Sequence, residues 1–184
     1  MDTSYLISSI KQFEYYKSLG DKTIAQLSFD ELKKEFAQDS NSVAIIVKHL
    51  VGNMHSRWTN FLTEDGEKEW RKRDEEFIDN FNSKDELIAA WTKGWDCLFT
   101  AIKPLKSNDL ERIIYIRNQG HTVTEAINRQ LMHYAYHIGQ IVFIGKLIKG
   151  ENWETLSIAK GQSKVYNKVK FETDKSRTHF TDKL

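Results

Sequence analysis

Cysteine is almost missing from this chain, with Cys97 the only one in 184 residues. That excludes an internal disulfide and every redox or zinc-ribbon motif built on paired cysteines. Proline is as scarce, Pro104 standing alone, and glycine occurs only nine times. So few helix breakers favour long helices over an all-β fold. No apolar run approaches the ~18 uncharged residues of a membrane span. The opening MDTSYLISSIKQFEYY lacks a basic segment followed by an apolar one, so no signal peptide is expected. An excess of either charge is also missing: 27 basic residues face 26 acidic ones, a formal net charge of +1. That balance argues against nucleic acid as the main partner. The expectation is a soluble, cytoplasmic, single-domain protein without a membrane segment, large enough to bury about 70% of its unfolded surface unaided.

What the sequence does contain is helical periodicity. A first helix is predicted from about Thr3 to Leu19, with Leu6, Ile10, Phe13 and Tyr16 on one face and Gly20 as its stop. Ser28 and Glu31 form a capping-box pattern for a short turn over 30–36, with Leu32 and Phe36 inward. A second long helix starts at Asn41 or Ser42 and carries Val43, Ile46, Val47, Leu50, Met54, Trp58 and Phe61 as its stripe. His49 lies at the border of that stripe with Asn53 one turn on, while Lys48 and His55 fall on the opposite side. The charged stretch 63–82 has no sustained period and reads as a surface connection anchored by Trp70, Phe77 and Phe81; the functional alternative is a lid. A third helix opens at Ser83, boxed by Glu86, with Leu87, Trp91, Trp95, Leu98, Ile102 and Leu105 inward and Cys97 as packing. Branched and aromatic residues at 113–116 and around 122–123 flank Arg117-Asn118-Gln119-Gly120, a β-hairpin pattern with His121 on its second arm. Thr122 and Glu125 cap a final helix that runs to Gly150. Beyond it, Trp153 to Ile158 are expected to pack on the helices and the last dozen or so residues to be poorly ordered.

The final helix holds the feature that needs explaining. At about 100° per residue, Ala126, Gln130, His133, His137, Ile141, Ile144 and Ile148 share a stripe, so two imidazoles and an amide stand where the pattern calls for core. His133 and His137 are four apart, which stacks them on one face with Cβ atoms roughly 6 Å apart. Either they are buried histidines bonded to neighbours, or they grip one ion at about 2.0–2.1 Å. Tyr134 occupies the second position, so the pair is not the HExxH of a metalloprotease, and a metal would need a third ligand from elsewhere. Four long segments suggest an all-α, up-down-up-down four-helix bundle with the hairpin before its last helix. His49 would then sit roughly 10 Å along the second helix and the pair roughly 14–20 Å along the fourth, near one end of the bundle. Three neutral imidazoles with open positions suit zinc, nickel or iron(II) in a catalytic type of site.

KHLVGNMHSRW on the second helix, followed by HYAYHIGQI on the last, resembles the DinB/YfiT-like superfamily. GEKEWRKRDEEF and SIAKGQS look like an uncharacterised bacterial subfamily of it. The resemblance spans about 1–165, leaving 166–184 as a polar tail, and implies His49, His133 and His137 as metal ligands. It also implies a homodimer and, from several relatives, a metal-dependent transferase or isomerase that uses a small thiol such as bacillithiol or mycothiol. Thiol transfer to an electrophilic small molecule is thus the leading expectation. Hydrolysis by metal-activated water is the second, and a non-catalytic binding or stress-response module with structural histidines is the third. Asn53 and Gln130 are expected to orient ligands or substrate, or simply to bridge helices; His55, His121 and His179 are expected outside the metal's reach. Five tryptophans and the outward-phased Tyr134 and Phe143 independently suggest the dimer.

Overall fold

The computed structural model describes residues 4–183. It is mostly helical with one small antiparallel sheet. In chain order the elements are α1 (Ser4–Gln26), α2 (Phe29–Leu32), α3 (Val43–Trp58), α4 (Lys84–Ile102), β1 (Ile113–Ile116), β2 (Gln119–Thr122), α5 (Val123–Lys149) and α6 (Ser163–Phe171). Helix starts follow the capping chemistry. The Ser42 side chain accepts from Ile45 N–H, and both Ser28 and Thr122 form reciprocal capping boxes, with Glu31 and Glu125. At Ser83 only half the predicted box forms. The hydroxyl takes Glu86 N–H, but the Glu86 carboxylate accepts from Asn82 N–H instead of the Ser83 backbone.

α3 packs along α4, α1 along α5, and α3 also meets α5. The long helices share one core, centred on aromatic rings. Trp95 lies 5.4 Å from Trp91, 5.7 Å from Tyr134 and 6.5 Å from Phe13, centroid to centroid and edge-on. The predicted α4 stripe from Leu87 to Leu105 is buried throughout.

α1 does not stop at Gly20; it continues to Gln26. Gly20 is there for clearance, because a Cβ would stand 2.6 Å from Trp91 Cζ2. Phe36 is exposed, not inward, and only Leu32 of that turn is buried. The hairpin turn is Arg117-Asn118, both at positive φ (55° and 61°), and Gln119 and Gly120 already pair as strand. Along α5 the inward line is Val123, Ala126, Ile127, Gln130, Tyr134, Ile138, Ile141 and Gly145. His133 and His137 are therefore half-buried at its border, not central, and Tyr134 is fully buried instead of facing outward. The last stretch also differs from expectation. Ile158 is exposed, but Trp153 closes over Gly145, and the C-terminal residues return to α1 through Ser8–His179 at 3.0 Å and an edge-on contact of Tyr15 with Phe180. Among the described residues, no helix is long and apolar enough to cross a membrane.

Candidate metal centre

His49 comes from α3, and His133 and His137 from α5. One ring nitrogen from each lies within 4.8 Å of the others, and these are the residues that cluster in this way among the described residues. The Nε2 atoms of His49 and His133 are 3.4 Å apart. Two nitrogens bound tetrahedrally to one ion at about 2.0–2.1 Å would be about 3.3–3.4 Å apart, so this edge of the cluster already has a ligating length. In His49 and His137 the other ring nitrogen has an acceptor. His49 Nδ1 is 2.9 Å from Glu76 Oε2, and His137 Nδ1 is 2.8 Å from Gln140 Oε1. Donation at Nδ1 leaves the Nε2 lone pairs free to point inward, which is how metal-binding imidazoles are normally oriented.

The surroundings of His133 and His137 favour the neutral ring. Burial, reinforced by the neighbouring His137 and His49 rings and by the Arg57 and Arg71 charges, pushes His133 down to about 3. Burial also lowers His137, although its bond to Gln140 opposes this. A neutral imidazole is the form that binds a metal.

The charged stretch after α3 is more than a solvated connection. Glu76 is buried on His49, and Phe77 stacks on the same ring at 5.2 Å and 25°. Arg71 forks onto the Glu76 carboxylate, Nε to Oε1 at 2.7 Å and Nη2 to Oε2 at 2.9 Å. Burial alone would raise Glu76, but the bonds from His49 and Arg71 outweigh it and hold the carboxyl below its ordinary range. Gly52 makes this seat available, since a Cβ there would meet Glu76 Oε1 at 2.2 Å. Phe81 is a buried anchor as expected, whereas Trp70 is exposed. The same stretch reaches the hairpin: Asp65 accepts the backbone N–H of Arg117 and of Asn118, each at 2.8 Å.

Asn53 and Gln130 are both buried beside the cluster. Asn53 Oδ1 accepts from the Tyr134 hydroxyl at 3.1 Å, which itself accepts from Trp58 Nε1 at 3.0 Å, so Asn53 does bridge α3 and α5. Gln130 Oε1 is buried without a hydrogen-bond partner. His55 lines a different cavity, against α4, beside Cys97. His121 Nε2 lies 3.0 Å from Arg129 Nη1, and His179 contacts Ser8. None of these three belongs to the cluster.

A cavity of about 390 Å³ opens over the imidazoles, walled by α3, the connecting stretch, the hairpin and α5. Its lining includes Arg57, Arg71, Arg73, Arg117 and Arg129 beside the three histidines. Neither Glu76 nor these arginines stand out in the sequence. The signals available are a dense RKRDEE run soon after the histidine helix and a mid-helix glycine one turn from His49.

Compared with known proteins, the chain matched neither a curated protein nor a solved structure. A family model does match it, over residues 1–162, and the chain therefore belongs to the family described as Protein of unknown function (DUF1572).

Proposed function

We propose that this chain is a metal-dependent enzyme of the DinB/YfiT-like kind, an up-down-up-down four-helix bundle in which His49, His133 and His137 hold one divalent ion. The observation that carries the reading is the arrangement of three imidazoles on two helices, one pair of Nε2 atoms at 3.4 Å, opening onto a cavity. Zinc, nickel and iron(II) all suit such a donor set. When bound, an ion with three neutral ligands keeps its full charge and favours the thiolate form of a small thiol in its open position.

The protein's own part is orientation and shielding. Glu76 fixes the His49 tautomer and Gln140 that of His137. Phe77 covers one face of His49 and limits water on that side. No protein nucleophile is required: Cys97 lies beside Thr59, 3.6 Å away, in the other cavity. The reaction proposed is transfer of a small thiol, of the bacillithiol type, to an electrophilic small molecule.

Cobalt substitution tests this. Titrating thiol into the cobalt protein should produce an intense near-ultraviolet sulfur-to-cobalt band that is absent in His133→Ala. A cobalt spectrum unmoved by saturating thiol sinks thiol transfer and leaves metal-water hydrolysis as the better reading.

A further inference from the structure

The wall around the histidines is cationic in a way that metal binding does not call for. Guanidinium groups near a divalent ion repel it, so five of them lining one cavity require another explanation. Some of that charge is already matched. Glu67 Oε2 lies 3.0 Å from Arg57, 3.4 Å from Arg71 and 3.1 Å from Arg117, and Glu76 holds Arg71. Asp65 is taken up by backbone N–H groups of the hairpin turn. None of the cavity's lining residues is acidic. Arg73 lies over the Phe77 ring at 5.2 Å, and Arg129 meets only a histidine, so neither has a carboxylate partner among the described residues.

Two buried orphans mark the same place. Arg57, only 7% exposed, has its Nε–H without an acceptor, and Gln130, 3% exposed, has its Oε1 without a donor. Both residues line the cavity. Buried groups of this kind normally have partners, because leaving one unmet is costly.

We infer that the cavity is an oxyanion-binding site: the small molecule that completes the histidine centre carries a carboxylate or phosphate, gripped by Arg73 and Arg129 with Arg57 behind them, and a hydrogen-bond donor for Gln130. Planar guanidinium forks match both anions in geometry and bind them in pairs of bonds. A volume of about 390 Å³ is that of a small-molecule site. The inference deepens the metal-enzyme reading, since it names the chemical class of what reaches the ion, but the arginines hold their anion whether or not a metal is present.

Calorimetric titration of inorganic phosphate and of malonate at low ionic strength tests it. The titrations use the full chain, the metal-loaded protein and the His133→Ala/His137→Ala protein run in parallel. Saturable binding of either anion is expected in both, and the tighter of the two identifies the source of the oxyanion. Arg73→Gln/Arg129→Gln should weaken it by about tenfold or more for each charge-assisted hydrogen bond removed, with an unchanged circular dichroism spectrum and unchanged metal content. No saturable binding up to about 10 mM, a Kd range weaker than specific recognition gives, overturns the proposal. So does equal affinity in the arginine double variant, or binding that disappears with the two histidines, which would place the anion on the metal alone. An unaltered protein that takes up no metal but still binds the anion would remove the metal reading and leave this one standing.

Discussion

Glu76 Oε2 sits 2.9 Å from His49 Nδ1, in a space that Gly52, on the same helix as His49, leaves open for it. The carboxylate therefore sets which nitrogen of His49 faces the cluster. Glu76→Gln should lower metal affinity by roughly 10–100-fold, the usual effect of removing such a partner. Gly52→Ala should act in the same direction while deleting no polar group, because its Cβ would stand 2.2 Å from Glu76 Oε1 and displace it. Competition against a chromophoric chelator measures both. Affinities equal to the unaltered protein's would mean that Glu76 does not support the ligand.

Gly20 offers a separate test, of packing. The Trp91 ring that crowds it is tethered by its Nε1–H to Asp21 Oδ1 at 2.7 Å and cannot withdraw freely. Gly20→Ala should therefore destabilise the fold by about 1–3 kcal/mol, as overpacking does, despite the better helix propensity of alanine. Urea unfolding reads this directly, and an unchanged midpoint would show that the helix and ring relax at no cost.

Cys97 should behave as packing, not as a nucleophile. Burial raises its thiol, and the Thr59 hydroxyl only partly opposes that. A raised value means less thiolate at a given pH, so alkylation at pH 8 should be slower than for a free cysteine and should keep climbing above the ordinary range near 8.5. Rapid, pH-insensitive labelling at pH 7 would make Cys97 a reactive group after all.

The homodimer proposal keeps Phe143 from the sequence reading but not Tyr134. Tyr134 is buried, but Met132, Tyr136 and Phe143 lie along the outer side of α5, exposed by 68%, 64% and 67%. Exposed apolar side chains grouped along one helix mark a candidate interaction surface, and a second copy of α5 is the occupant proposed. Sedimentation at micromolar concentration should give twice the 21.6 kDa chain mass, and Phe143→Glu should return it towards a single chain. A single-chain species in the unaltered protein rejects the dimer.

Much of the fold is legible in the sequence because its signals are local. The caps at Ser42 and Thr122, the α4 stripe and the glycine after Lys149 each depend on residues within a turn or two. The phase of α5 is not legible, for a physical reason. Tyr134 can be fully buried because Trp58 and Asn53 satisfy its hydroxyl, and those partners lie 76 and 81 residues away. Gly20 reads locally as a helix stop, but its role is set by Trp91, across the core. The histidine cluster is legible as spacing on two helices. Its support is not: Glu76 reaches His49 from 27 residues downstream, within a run whose charge pattern is that of a solvated loop.

The most direct measurement is the metal content of the tag-free protein, beside its His49→Ala, His133→Ala and His137→Ala variants. The account predicts close to one equivalent of a divalent ion per chain, absent from each variant while the helical circular dichroism spectrum persists. A folded protein that retains no metal after metal-replete purification, or one whose metal survives replacement of these histidines, would contradict it.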